Sequence, residues 1–254
     1  MKKSISICLT ALLALAVSCK KDNSNDSPKQ QFGIDGVTPM PEAVDLGLSV
    51  KWASFNIGAS KEYEYGDYYA WGETSTKDNY DWASYKWCTG AGNKLTKYCP
   101  KDRANKWDAS AKPEGPDGNV KLLPDDDVAH VKLGGHWRMP THDDLNELLA
   151  LKKNDNYTWE KWATVTDSNG KDVYGIRITR TSTGATLFLP AAGYCEGTSI
   201  GEDAGSLGRY WTASLLDNTI IPDSAICLSF RSEDSSWNGT IRCNGRSVRP
   251  VWKE

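Results

Sequence analysis

One amphipathic helix pattern followed by a series of short alternating runs limits this chain to a narrow set of folds. Over 141–152, Leu145, Leu148 and Leu149 fall on one face at helical spacing, Thr141 stands at the N-cap, and Asp144 three residues on completes a capping box. Asp143 and Asp144 in the first turn and Lys152 and Lys153 at the end agree with the helix dipole. After that the period changes. The run WATVTDSNGKDVYGIRITRTSTGATLFLPAAGY reads as three short strands with turns at Asn169-Gly170 and Thr183-Gly184, and RYWTAS, AICLSFRS and GTIRCNGRSVRPVWK supply more. Upstream, Val50, Trp52 and Ser54 alternate with Lys51, Ala53 and Phe55 in a further strand. This order predicts an α+β domain with one clear helix and short, mostly antiparallel strands, not a parallel βαβ fold. Between 74 and 124 apolar periodicity is weak while Trp, Asp, Gly and Pro recur, which predicts long ordered loops or an insertion.

The first residues are a processing segment rather than part of that domain. Lys2 and Lys3 precede an apolar stretch over 5–17 that has the n- and h-regions of an export signal and is too short to span a bilayer stably. It ends in Leu-Ala-Val-Ser-Cys, which resembles the lipobox of bacterial lipoproteins. The resemblance implies a signal peptide over 1–18 and diacylation of Cys19, whose acyl chains (palmitate among them) hold the protein to a membrane. The polar segment after Cys19 reads as a flexible tether over 19–40, leaving 41–254 as one domain. Lys20 stands where an inner-membrane retention signal would place aspartate, so the expected location is the cell envelope, at the outer membrane.

A net charge of −3 over the chain argues against a nucleic-acid partner. Eleven Trp and 11 Tyr against 4 Phe, with 22 Gly, point to a loop-rich domain with amphipathic aromatics. In an oxidising compartment cysteine pairing is expected. Cys88 and Cys99 flank a Gly-containing segment and form the best local pair; Cys227 and Cys243 lie in two late strands with Cys195 nearby, so one of these three is left over. No CxxC spacing suggests zinc.

Six blocks then carry a family resemblance: VDLGLSVKWASFNIGA (44–59), EYGDYYAWGET (64–74), LPDDDVAHVKLGGHWRMPTHDDLNELL (123–149), LFLPAAGY (187–194), YWTAS (210–214) and GRSVRPV (245–251). Together they are similar to the Fibrobacter succinogenes major paralogous domain, abundant in lipoproteins of the Bacteroidota. The resemblance covers nearly the whole domain and implies a C-type lectin-like fold, shared with the formylglycine-generating enzymes. It brings no activity with it, and Cys195 after AAGY departs from the family's usual polar residue.

Asp125, Asp126, Asp127 and His130 form the densest acidic cluster, readable as a Ca²⁺ site or as a loop whose aspartates cap local backbone. No other cofactor is expected. His130, His136 and His142 follow no zinc pattern, and no GxSxG, P-loop or GxGxxG occurs. Arg138, Arg246 and Arg249 read as scaffold arginines paired with buried carboxylates or carbonyls, and Trp71, Trp137 and Trp211 as core. Trp82, Tyr85, Trp87, Trp107, Tyr157, Trp159 and Trp237 fall in loop-like polar contexts, where aromatics either pack the loops or bind sugars and proteins. The leading expectation is a non-catalytic binding or adhesion module for a glycan or a protein. A structural component of surface fimbriae and an enzyme of the sulfatase-modifying type are the alternatives.

Overall fold

A computed structural model describes residues 30–90, 94–216 and 223–254; the signal peptide expected over 1–18 and the lipidation expected at Cys19 lie outside the described residues. The alternation around Trp52 becomes strand β2 (Lys51–Ala53), with Trp52 and Ala53 buried. It pairs with β1 (Ala43–Val44) on one side and with the last strand, β12 (Val251–Trp252), on the other. Strand β3 (Trp137–Arg138) completes an antiparallel sheet in the order β1-β2-β12-β3. Both ends of the described chain therefore meet in one sheet, with the C-terminal strand inside it.

Helix α2 (His142–Ala150) forms where the pattern places it. Thr141 Oγ1 accepts from Asp144 N at 3.2 Å, and Asp144 Oδ2 accepts from Thr141 N at 2.6 Å, closing the capping box. A 3₁₀ turn (Leu151–Lys153) ends it. A second helix, α1 (Val128–Leu133), stands where the sequence suggested only a loop. Its six residues are too few to display a helical period, and its start depends on the Asp127 cap.

The β-rich half follows. β4 (Tyr157–Thr166), β5 (Asp172–Arg180) and β6 (Thr186–Pro190) form an antiparallel meander whose turns pass through Gly170 (φ +80°) and Gly184 (φ +72°), left-handed positions that favour glycine. β7 (Tyr194–Glu196) and β8 (Ser199–Glu202) make a small hairpin. β9 (Gly208–Leu215), β10 (Ser224–Phe230) and β11 (Ser235–Ile241) form a third antiparallel sheet with β10 central and β11 at the edge. The protein is thus a mixed α and β fold of short antiparallel strands. One core gathers Trp71, Trp137, Trp211 and Val248; another gathers Trp52, Leu145, Ile178 and Phe230.

Residues 74–124 are long ordered loops. Leu95 bridges to both Cys88 and Trp107, and Leu95, Cys99 and Trp107 make a small core beside the 3₁₀ helix Lys101–Lys106. Two expectations need correction. Residues 30–40 are docked rather than part of a tether: Phe32 bridges to Pro39, and Met40 packs on the core. Neither expected disulfide, Cys88–Cys99 or Cys227–Cys243, is formed. Cys99 is a thiol donating to the Arg103 carbonyl at 3.3 Å, so it does not join Cys88; Cys227 donates to Asn238 Oδ1 at 3.1 Å and lies in a different cluster from Cys243. Burial pushes the Cys99 and Cys227 thiols up to about 11 and that of Cys243 to about 12.

Candidate functional site

The acidic cluster divides by burial. Asp125 is exposed, whereas Asp126 is buried and takes Tyr98 Oη and Lys97 Nζ, each at 2.5 Å. Asp127 accepts from Ala129 N (3.0 Å), His130 N (3.2 Å) and Met139 N (2.8 Å), capping α1 and tying it to the residue after β3. Both buried carboxylates are therefore engaged by donors of the fold, and no group of three or more metal-ligating side chains gathers among the described residues. The arrangement matches backbone capping better than Ca²⁺ ligation, which needs six to eight oxygens around the ion.

The arginines of the WRMPT and GRSVRP blocks differ in kind. Arg138 forks onto Asp144 at 2.7 and 3.3 Å; burial raises that carboxyl, but hydrogen bonds from Arg138 and Thr141 outweigh it and hold it below its ordinary value. Arg249 reaches Asn56 Oδ1 (2.8 Å) and the carbonyls of Ala53 and Ser54, and Arg246 reaches Thr240 Oγ1 and the Gly245 carbonyl. Burial lowers both guanidinium groups to about 10.

Of the six loop aromatics expected to bind ligand, five are packed into the molecule. Tyr85 is buried with its hydroxyl on the Trp71 carbonyl (2.7 Å), and Trp107 is buried with Nε1 on the Lys112 carbonyl (2.7 Å). Trp87 donates to the Gly72 carbonyl (2.8 Å), and the ammonium groups of Lys86 and Lys97 lie over its ring at 4.3 and 4.5 Å. Trp82 packs edge-on against Tyr85 at 5.5 Å, and Trp159 is half-buried against the second core. Tyr157 likewise binds the Leu46 carbonyl at 2.6 Å. Only Trp237, at 41 % exposure, keeps an open face.

Trp237 projects from β11, the edge strand, between two hollows. On one side lies a cleft of about 560 Å³, bounded by Thr141, His142 and Asp143 of the α2 N-terminus, by Ser214–Leu216 at the end of β9, and by Val120, Lys121, Asp102 and Arg103. On the other side an open groove of about 510 Å³ runs between α2 and β11. The His142 ring meets Trp237 edge-on at 4.6 Å, and His142 N donates to Ser214 Oγ at 3.1 Å. His142 Nε2 is buried without a hydrogen-bond partner among the described residues. The cleft thus offers an aromatic face, an imidazole, a hydroxyl and charges of both signs around an apolar floor that includes Leu215 and Ile226.

Sequence reasoning selected Trp237 but missed the cleft, because Val120, His142, Ser214 and Trp237 come from four segments with no shared motif. The single legible signal was His142 in the first turn of a helix. The three histidines do not converge: His130 is in α1, His136 packs on Trp252, and His142 packs on Trp237. Comparison with protein-family models, curated proteins and solved structures finds no match to this chain.

Proposed function

We propose that this protein is a lipid-anchored binding module of the bacterial cell envelope that holds a glycan against Trp237 in the cleft beside the α2 N-terminus. The observation that carries the reading is Trp237 itself, an open indole face on an edge strand between two hollows, with polar groups on one side and an apolar floor. A sugar ring needs just these parts: an aromatic face for its C–H surface and a few fixed donors and acceptors for its hydroxyls. The short antiparallel strands, the long ordered loops and the meeting of the chain ends are in keeping with a C-type lectin-like fold of the Fibrobacter succinogenes major paralogous kind, and the lipobox at Cys19 supports anchoring at the outer membrane. A fimbrial role by strand donation fits poorly, since β12 is held between β2 and β3. A copper-binding cysteine pair of the sulfatase-modifying enzymes fits poorly as well, since Cys227 and Cys243 belong to separate clusters.

The test is a glycan array probed with the unacylated chain from Cys19 onward, with and without EDTA. Saturable binding that weakens at least about tenfold in Trp237→Ala is expected, since loss of a stacking anchor costs more than about 1.4 kcal/mol. EDTA should leave it unchanged. A blank array with folded protein would sink the glycan reading and leave a protein ligand as the occupant of the cleft.

A further inference from the structure

We infer that the loop Phe32–Pro39 is a membrane-contact element that docks the domain on the bilayer holding its own acyl chains. Phe32, Ile34 and Val37 are 51, 71 and 72 % exposed, three large apolar side chains within one eight-residue loop. Isolated exposed apolar residues are ordinary, but several held together in solvent mark an interaction surface. The loop is not loose chain that happens to carry them. The Phe32↔Pro39 bridge closes it, Gly33 N donates to the Thr38 carbonyl at 2.8 Å, and Met40 N to the Gln31 carbonyl at 2.9 Å. Asp35 Oδ1 accepts from Val37 N and Thr38 N at 3.0 and 2.8 Å, and its other oxygen accepts from Thr38 Oγ1 at 2.6 Å and faces Lys132 Nζ at 3.7 Å. The one charge in the loop is therefore engaged within the protein, and the apolar side chains stand on a fixed frame.

The position of the loop in the chain says what covers it. Fully extended, the chain from Cys19 to Gln30 reaches about 40 Å at most. A domain of this size is itself about 45 Å across, so the loop lies on the part of the domain that the anchor holds nearest the lipid. The acyl chains of a diacylated Cys19 hold the protein at the membrane without fixing how the domain faces it, and a second contact of apolar side chains at the headgroup boundary orients the attachment. This inference rests on the lipid-anchor reading and is independent of what the Trp237 cleft binds. It assigns the loop a bilayer surface, not a protein partner, because the loop presents apolar side chains and no unengaged charge.

The experiment uses the acylated full protein, extracted from membranes and reconstituted into vesicles of phosphatidylethanolamine and phosphatidylglycerol. Bimane is attached at Val37→Cys, with Asn169→Cys in the exposed turn between β4 and β5 as the reference position, and labelling of the unsubstituted chain is subtracted. Spin-labelled lipid should quench position 37 at least threefold more than position 169. Adding Phe32→Ser and Ile34→Ser should bring quenching down to the reference level. Retention on the vesicles with equal quenching at both positions overturns the inference and hands the loop to a protein partner. Loss of the protein from the vesicles, with no acyl mass on the Cys19 peptide, overturns the anchor reading and this inference with it.

Discussion

Replacing Asp127 separates a capping role from a calcium role by stability alone. Its carboxylate takes three buried backbone N–H groups, two in the first turn of α1 and one on Met139. Asp127→Ala leaves all three without an acceptor, at about 1–1.7 kcal/mol each when buried, so a loss of about 3–5 kcal/mol is expected. That is a large part of the roughly 5–15 kcal/mol that holds a domain folded. With a urea m-value of about 2.5 kcal/mol/M, the midpoint should fall by about 1.2–2 M with m unchanged. Asp127→Asn keeps one acceptor oxygen for Ala129 and His130 but turns an amide donor toward Met139 N, so about half the loss is expected. Urea titrations followed by tryptophan fluorescence, with 1 mM Ca²⁺ or 1 mM EDTA, read both. A fall below about 0.4 M in Asp127→Ala would refute the capping account. So would a Ca²⁺-dependent rise of about 1 M in the wild-type midpoint that disappears in Asp125→Ala, the size expected for a ligand at a hundred times its Kd.

Gly208 lies against the buried Phe230 ring, which an added Cβ would overlap, so Gly208→Ala should lower the melting temperature by about 2–10 °C; a rise, the usual effect of alanine in a strand, would show the ring has room to move. The Asp144 carboxyl is held below its ordinary 3.8, so its contribution to stability is complete above that pH and is lost as pH falls through the lower folded value. Asp144→Asn should therefore flatten the pH dependence of urea stability between pH 5 and 2, and an unchanged slope would count against the Arg138 pairing. Cys99, Cys227 and Cys243, buried with raised thiol values, should resist iodoacetamide at pH 8 in the native protein and react fully in urea; disulfide-linked peptides in a non-reduced digest would contradict this.

The parts legible in the sequence are those whose signals are local. The capping box at Thr141 and Asp144, the helix after it, and the glycine turns at 170 and 184 each depend on a few adjacent residues, and each stands where the pattern puts it. Helix α1 was missed because its determinant is a side chain outside it: Asp127 looks like an acidic loop residue until Met139, the residue after β3, arrives to share it. The cysteine pairs failed for the opposite reason. Closeness in sequence or shared strand character says nothing about where the sulfur points: Cys99 and Cys88 belong to different clusters, and so do Cys227 and Cys243. The cleft was illegible as a unit because its walls come from α2, β11, the end of β9 and the loop near 120, which only tertiary packing brings together.

The aromatic composition misled for a physical reason that also sets Trp237 apart from the other tryptophans. A loop-rich fold leaves carbonyls without ladder partners, and each buried one needs a donor. Trp71 donates to the Thr212 carbonyl, Trp211 to that of Tyr69, Tyr210 to that of Pro190, and Tyr68 to that of Ala192. Phenylalanine would fill the same volume and supply no donor, which accounts for 11 Trp and 11 Tyr against 4 Phe. The same rings face buried guanidinium groups that lack a carboxylate among the described residues: Arg242 lies over Trp71, and Arg246 over both Tyr194 and Trp211. An aromatic in a polar stretch of this chain is therefore first a structural donor. Trp237 differs, since it is 41 % exposed and its face is open. Trp237→Ala should cost about 1 kcal/mol of stability or less, the ordinary range for an exposed position, while removing ligand binding. Trp71→Ala, with about 3–5 kcal/mol of burial at risk, should lower stability before binding can be read. If Trp237→Ala instead destabilises as much as Trp71→Ala, the open face belongs to the core like the rest, and the cleft loses its claim to a ligand.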